Sequence, residues 1–436
     1  MKMNLITDHV KPVRPVKVLQ FGEGGFLRGF VDWMLQKLND AGHWTGSVAV
    51  VQPIDMGMCD MLSAQNCLYT HIIRGAEGVE KTLVDVIDHC VKPYEDFEGY
   101  LKHAENPDLR FIVSNTTESG IVFEADNKPT DVPPHSFPAK LTLLLKRRFD
   151  CGLGGLILIP CELIDRNGDN LKKCVLQYAD LWELGAEFTK WVEQENVFCN
   201  TLVDRINTGY PRDEKLDLGY EDKMVNTSEY FHLWVIETDH DLEAELPFTK
   251  SGLNVIVTKD ALERYRTRKV RLLNGAHTSM VAHALLSGLQ TVRECMEDEA
   301  MHSFLETCLY QEIIPTLDLP QEELKTYAAD VLTRFANPYI KHYLADISLN
   351  SISKYKVRVL PSVLEYKVRF GSYPKNLVKG LARILQFYRE GTPRDDASVI
   401  DYIRSHTNDE ILANTAFWGE DLTCLSEVLA DAYTSK

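Results

Sequence analysis

Short runs of β-branched and aliphatic residues, each followed by a stretch of helical spacing, fill the first half of the chain, which is the pattern of a parallel sheet with crossover helices. VKVLQF (Val16 to Phe21), SVAVVQ (Ser47 to Gln52), LRFIVSN (Leu109 to Asn115) and LGGLILIPC (Leu153 to Cys161) are its expected strands. Between the second and third, YTHIIRG (Tyr69 to Gly75) and KTLVDVIDHCV (Lys81 to Val91) read as an excursion from that sheet, an antiparallel pair. FHLWVIET (Phe231 to Thr238) and LNVIVTKD (Leu253 to Asp260) close the half. From Ala261 onward the apolar residues recur at helical spacing, as in VAHALLSGLQTV and LVKGLARILQFY. Asp260 with Glu263 would form a capping box for the first of these helices, and Thr267 is a rival start. The pattern predicts an α/β domain over residues 1–255 and a mostly α-helical domain over 256–436.

A length of 436 residues is more than one ordinary core accommodates and fits two. Lys and Arg number 47 against 64 Asp and Glu, a net charge of −17, which argues against nucleic acid or an anionic membrane as partner. A small anionic substrate would therefore need a local basic pocket. The ten cysteines contain no C-x-x-C pair, so neither a zinc knuckle nor a thioredoxin-type motif is present and no metal site is expected. The amino-terminal residues lack the apolar run of a signal peptide, and no later run approaches a membrane span; the expected location is the cytoplasm.

FGEGGFLRGF follows the first expected strand directly, with Gly22, Gly24, Gly25 and Gly29. A glycine turn between strand and helix lets backbone N–H groups approach a pyrophosphate at the positive end of the helix, and here Phe26 and Arg28 would flank it. The spacing departs from G-x-G-x-x-G, because Leu27 holds its third position; a tight turn without ligand is the alternative. The second strand ends in VVQPIDMGMCD, where Gln52 takes the place of the usual ribose-binding acid and Asp55 is the nearest carboxylate. No Lys or Arg in that loop would grip a 2′-phosphate, which favours NAD over NADP. SNTTESGI, at the end of the third strand, offers Asn115, Thr117 and Glu118 to the nicotinamide half, or else forms a capped turn. These features describe a Rossmann-like dinucleotide-binding domain.

In the second half, RKVRLLNGAH places Lys269, Asn274 and His277 on one helix-compatible stretch. On an α-helix Lys269 and His277 lie within about 80° of each other, and Asn274 about 140° from Lys269. A lysine whose pKa falls toward neutrality donates a proton to the alkoxide formed by hydride transfer to a carbonyl. Asn274 would donate an amide N–H to the same oxygen, and His277 would orient a substrate hydroxyl or carboxylate. A solvated basic helix start with a structural histidine is the plainer alternative.

Together FGEGGFLRGF, the T-E-x-G of Thr117 to Gly120, CELIDRNG (Cys161 to Gly168), TLVDRINTGYPRDE (Thr201 to Glu214) and the K-x-x-x-x-N-x-x-H of Lys269, Asn274 and His277 resemble the polyol-specific long-chain dehydrogenases, the mannitol dehydrogenase family, over nearly the whole chain. The resemblance implies NAD-dependent hydride transfer with Lys269 as acid and base. Phrases such as SNTTESGI, KVRLLNGAHT and NPYIKHYLADISLNSISK resemble a branch acting on sugar acids, whose carboxylate would find Arg271, Lys341, His342 or Lys354, with Asp204 as a further substrate contact. Leu163 and Asp346 stand where the mannitol branch carries an asparagine and an arginine, so substrate contacts differ. A monomer or small homo-oligomer is the expected form. A fructuronate or neutral-polyol specificity, a non-catalytic dinucleotide sensor and a methyltransferase remain as alternatives.

Overall fold

The central sheet of the first unit is built from six strands: Val16–Phe21 (β1), Ser47–Val51 (β2), Ile87–Val91 (β3), Phe111–Ser114 (β4), Ile157–Pro160 (β5) and Val197–Phe198 (β6). In this computed structural model, which describes residues 4–212 and 214–434, all six run parallel in the order β3-β2-β1-β4-β5-β6. That is the doubly wound dinucleotide-binding order, and its direction reverses between β1 and β4. The apolar runs read as strands because both faces are buried, and the two-residue period divides each one between two cores. Val18, Val48, Val50 and Val113 enter one cluster with Trp33 and Met34; Leu19, Ala49, Val51, Ile112 and Leu158 enter the other with Leu141, Leu144 and Val175.

KTLVDVIDHCV is corrected by the structure. Its first part belongs to strand Gly78–Val84, which pairs antiparallel with Tyr69–Gly75 as expected, but its last five residues return to the main sheet as the edge strand β3. The break falls at Asp85, whose carboxylate accepts from Arg14 Nη1 at 2.7 Å and whose N–H donates to Gln36 Oε1 at 2.9 Å. A charged residue with side-chain partners on both its groups interrupts the ladder that the apolar pattern alone would have continued.

A second small sheet joins Asn200–Asp204 (β7), Leu233–Glu237 (β8) and Val255–Thr258 (β9), antiparallel and then parallel. Because β9 pairs with β8, the first compact unit runs to Leu262, past the expected boundary at 255. The next helix starts at Leu262; the N–H groups of Ala261 and Leu262 are taken by Thr258 Oγ1 and Glu237 Oε2, so Thr267 lies inside the helix.

The second unit, from Glu263, is mostly helical. Its centre pairs Gly275–Leu286 (α1) with Lys375–Glu390 (α2). Gly380 allows the close approach: a Cβ there would lie 2.9 Å from the Ser279 carbonyl oxygen. No helix among the described residues is long and apolar enough to cross a membrane.

Candidate active site

After β1 the backbone turns through Gly22, at φ +118°, into a single helical turn, Gly25–Arg28. Only glycine fits position 22, where a side chain would be strained and would meet the Asn115 carbonyl oxygen at 3.0 Å. The Gly22 N–H is already bonded to the Val51 oxygen, so this residue shapes the turn and offers no free amide. Gly24 is different. Nothing lies within 4 Å of a Cβ built on it, and the first amides of the helical turn have no intrahelical acceptor. Open space, helix-start amides and the reversal of strand order beside β1 fit a dinucleotide pyrophosphate, with Gly24, Gly25 and Phe26 as the residues that would hold it.

Gly25 is tied to distant parts of the unit. Its carbonyl oxygen accepts from both Asn207 Nδ2 (2.6 Å) and Asn226 Nδ2 (2.7 Å), and a Cβ on Gly29 would collide with the same two amides. Sequence reasoning assigned no role to either asparagine, although Asn207 sits within the TLVDRINTGYPRDE phrase. Arg28 is a brace: its guanidinium donates to the carbonyls of Glu23 and Met224, lies over the Tyr69 ring and is only 5% exposed. Its side chain is therefore engaged inside the protein.

Gln52 likewise organises its own loop. Its amide donates to the carbonyls of Ile54 and Asp55 and accepts from the Cys59 N–H, so it fixes the loop that would face the ribose, with Asp55 exposed at the surface. At the end of β4, Asn115 donates to the Cys161 carbonyl, while Thr117 (φ +71°) and Glu118 are exposed. The organiser here is Glu162, buried at 2% exposure, whose carboxylate accepts from Ser114 Oγ, Thr116 N–H and Thr116 Oγ1. Burial pushes its pKa up and the Thr116 bonds oppose the shift. Asp204 ends β7, buried and opposite Leu233.

In the second unit the stretch RKVRLLNGAH is not a continuous α-helix. Helix Leu262–Lys269 gives way to a π-helical segment, Val270–Asn274, and the α-helix resumes at Gly275, whose N–H reaches the Val270 oxygen five residues back. This changes which residues share a face. Five α-helical steps would leave Asn274 about 140° from Lys269, whereas five π-helical steps of roughly 80° leave it about 40° away. Three further α-helical steps bring His277 to within about 20° of Lys269. The wider turn thus gathers onto one face three groups that an ideal α-helix would spread.

His277 is 7% exposed, its ring stacked on Phe335 (centroids 4.2 Å) and edge-on to His342 (4.9 Å). Burial, and after it the neighbouring basic side chains His342, Arg334, Arg358 and Lys354, hold its pKa well below the ordinary value. The shift favours the neutral imidazole, and its Nε2 is buried without a hydrogen-bond partner among the described residues. Asn274 is half-buried and its side-chain amide makes no hydrogen bond among the described residues; its backbone oxygen accepts from Thr278 Oγ1. Gly275 faces protein: a Cβ there would lie 3.4 Å from the Arg358 carbonyl oxygen.

The structure separates the expected cations. His342 and Lys354 are among the groups around His277; Lys354 Nζ donates to the Ile347 carbonyl at 2.9 Å. Arg271 is directed to Ser362 Oγ (3.3 Å), and Lys341 is exposed. Arg358, unmarked by any motif, joins the His277 cluster.

Two family models cover the chain: the mannitol dehydrogenase Rossmann domain over residues 16–250 and the mannitol dehydrogenase C-terminal domain over 261–434. The chain belongs to the mannitol dehydrogenase family. It is accordingly an oxidoreductase with a nicotinamide dinucleotide as cofactor. Among family members it is 43% identical to an altronate oxidoreductase of Yersinia enterocolitica, over 95% of this chain and 92% of the relative. It is 47% identical to one of Escherichia coli, over 86% and 80%. The D-sorbitol dehydrogenase crystal structure in substrate-free form shares the fold at a TM-score of 0.82 with 22% identity, covering 99% of this chain and 93% of that one. Pseudomonas fluorescens mannitol 2-dehydrogenase, in a ternary complex with NAD and D-mannitol, does so at 0.73 with 21% identity, covering 99% and 92%.

Proposed function

We propose that this enzyme interconverts D-tagaturonate and D-altronate, using NAD(H), in the reducing environment of the cytoplasm. The observation that supports the reading is the π-helical segment, which turns Lys269, Asn274 and His277 toward one face, with the Nε2 of His277 buried and without a hydrogen-bond partner among the described residues. Bound nicotinamide supplies the hydride in one direction and accepts it in the other. Lys269 gives its proton to the nascent alkoxide in reduction and takes it back in oxidation. Asn274 stabilises the same oxygen with its amide N–H, and neutral His277 orients a neighbouring hydroxyl or the carboxylate. The names of the relatives, altronate oxidoreductases at 43% and 47% identity, support a sugar-acid substrate over a neutral polyol.

A panel of tagaturonate, fructuronate and fructose, followed through NADH absorbance, tests the substrate. A charge-assisted contact to a carboxylate contributes about 1.5–3 kcal/mol, so tagaturonate should exceed fructose in kcat/KM by about ten- to a hundredfold or more. Equal turnover of both would refute the sugar-acid reading.

NADH should be preferred over NADPH by about tenfold or more, because the loop after β2 offers an added phosphate no cation. Lys92, at the end of β3, is already held by Asp60 (2.6 Å) and Glu95 (2.5 Å). Equal catalytic efficiency with the two cofactors would contradict this.

A further inference from the structure

The substrate assigned above carries a carboxylate, and the second unit contains a cluster able to receive it. Helices Gln321–Phe335 and Ser351–Arg358 flank the His277 region. Around His277 stand four basic groups, His342, Arg334, Arg358 and Lys354. Their surroundings differ. Arg334 is 5% exposed and shares the field of Asp330, whose carboxyl it draws downward against burial. His342 lies in the field of Asp346, which is itself paired with Arg394 at 2.9 Å. Lys354 holds the Ile347 carbonyl and feels Asp395. Arg358 is half-buried, makes one long hydrogen bond, Nη1 to Thr278 Oγ1 at 3.4 Å, and has no carboxylate partner among the described residues.

A half-buried guanidinium without an anion is costly, and the fork of donors on arginine matches a carboxylate bidentately. Thr278, the residue Arg358 touches, is one helical turn from Asn274, whose oxygen it binds, and adjacent to His277. The Nε2 of His277, buried and without a hydrogen-bond partner among the described residues, is a second, independent mark of a ligand in the same cluster. We propose that Arg358 is the carboxylate anchor of the substrate site, the residue that selects sugar acids over neutral ketoses, with Lys354 and His342 as lesser contributors. The inference rests on the sugar-acid reading of the preceding subsection.

The test is steady-state reduction of tagaturonate and of fructose by wild type, Arg358→Met and Arg358→Lys, with the thermal shift produced by D-altronate measured on each. Arg358→Met should raise KM for tagaturonate about ten- to a hundredfold, change kcat far less, and leave fructose reduction within about twofold. Arg358→Lys, which keeps the charge without the fork, should recover part of the loss. Altronate should raise the Tm of wild type and not that of Arg358→Met. A loss equal for both substrates, or an unchanged KM for tagaturonate, would overturn the role of Arg358. If Arg358→Met fails to fold, the comparison of wild type with Arg358→Lys decides, since an anchor requires a KM increase confined to the acid. A wild type that turned over no hexuronate would overturn the functional reading instead, and the altronate shift would then decide on Arg358 separately: retained in Arg358→Met, it refutes the anchor.

Discussion

Lys269→Met is expected to lower kcat for tagaturonate reduction by about 10²–10⁴-fold while folding and NADH binding survive. Methionine keeps much of the length and apolar bulk of lysine and deletes the titrating group. The loss should reach the upper part of that range because the alkoxide forfeits its nearest positive charge along with its proton donor. The wild-type pH profiles should slope in opposite directions, since reduction requires the protonated amine and oxidation the neutral one. Reduction therefore fades as pH rises through the titration of the lysine, oxidation fades as pH falls through it, and the mutant loses both slopes. A mutant within a few-fold of wild type, with its pH dependence unchanged, would return Lys269 to the surface of a basic helix.

Asp32→Asn should change how stability depends on pH. Asp32 lies at the start of helix Val31–Asp40, fully buried, accepting from Gln20 Nε2 at 3.2 Å. Burial pushes its pKa from 3.8 up to about 7, against the Gln20 bond and the charge of Arg28. Asp32 Oδ1 and Gln20 Oε1 are both buried without a hydrogen-bond partner among the described residues. Below about pH 4 the native and unfolded forms are both protonated and the group is neutral to stability. Between about pH 4 and pH 7 the unfolded chain releases the proton that the native state retains. Stability from this group accordingly falls as pH rises, by up to about 4 kcal/mol in all. Asparagine does not titrate, so urea denaturation should show Asp32→Asn gaining on wild type between pH 5 and pH 8. A constant difference between the two proteins at both pH values would exclude a raised pKa at Asp32.

The strands were legible because short segments rich in β-branched and aliphatic residues mark buried strands, and VKVLQF in the main sheet and YTHIIRG in a second one coincide with observed strands residue for residue. KTLVDVIDHCV was misread because the signal for its division is a single aspartate whose partners, Arg14 and Gln36, lie far away in the chain. The same limit governs the site. Lys269, Asn274 and His277 were visible as a spacing, but which of them share a helix face depends on a change of helix type that no residue in VRLLN announces. Gln52 and Arg28 stand at positions where polar side chains often meet a ligand, and both instead satisfy backbone carbonyls of their own unit. Arg358 carries no motif; its place beside His277 comes from packing between helices 80 residues apart from Thr278 in sequence.

The two asparagines that hold the Gly25 carbonyl give the glycine turn a dependence on distant sequence. FGEGGFLRGF and the strands carrying Asn207 and Asn226 are separated by some 180 to 200 residues yet behave as one part. A grafted turn that displaced this oxygen would leave two amides without their acceptor, and moving this turn elsewhere would leave the Gly25 carbonyl with the Gly29 N–H of its own segment and without the two amides. The structural unit of the glycine turn is therefore a discontinuous one, and any redesign of the turn has to exchange all three segments together.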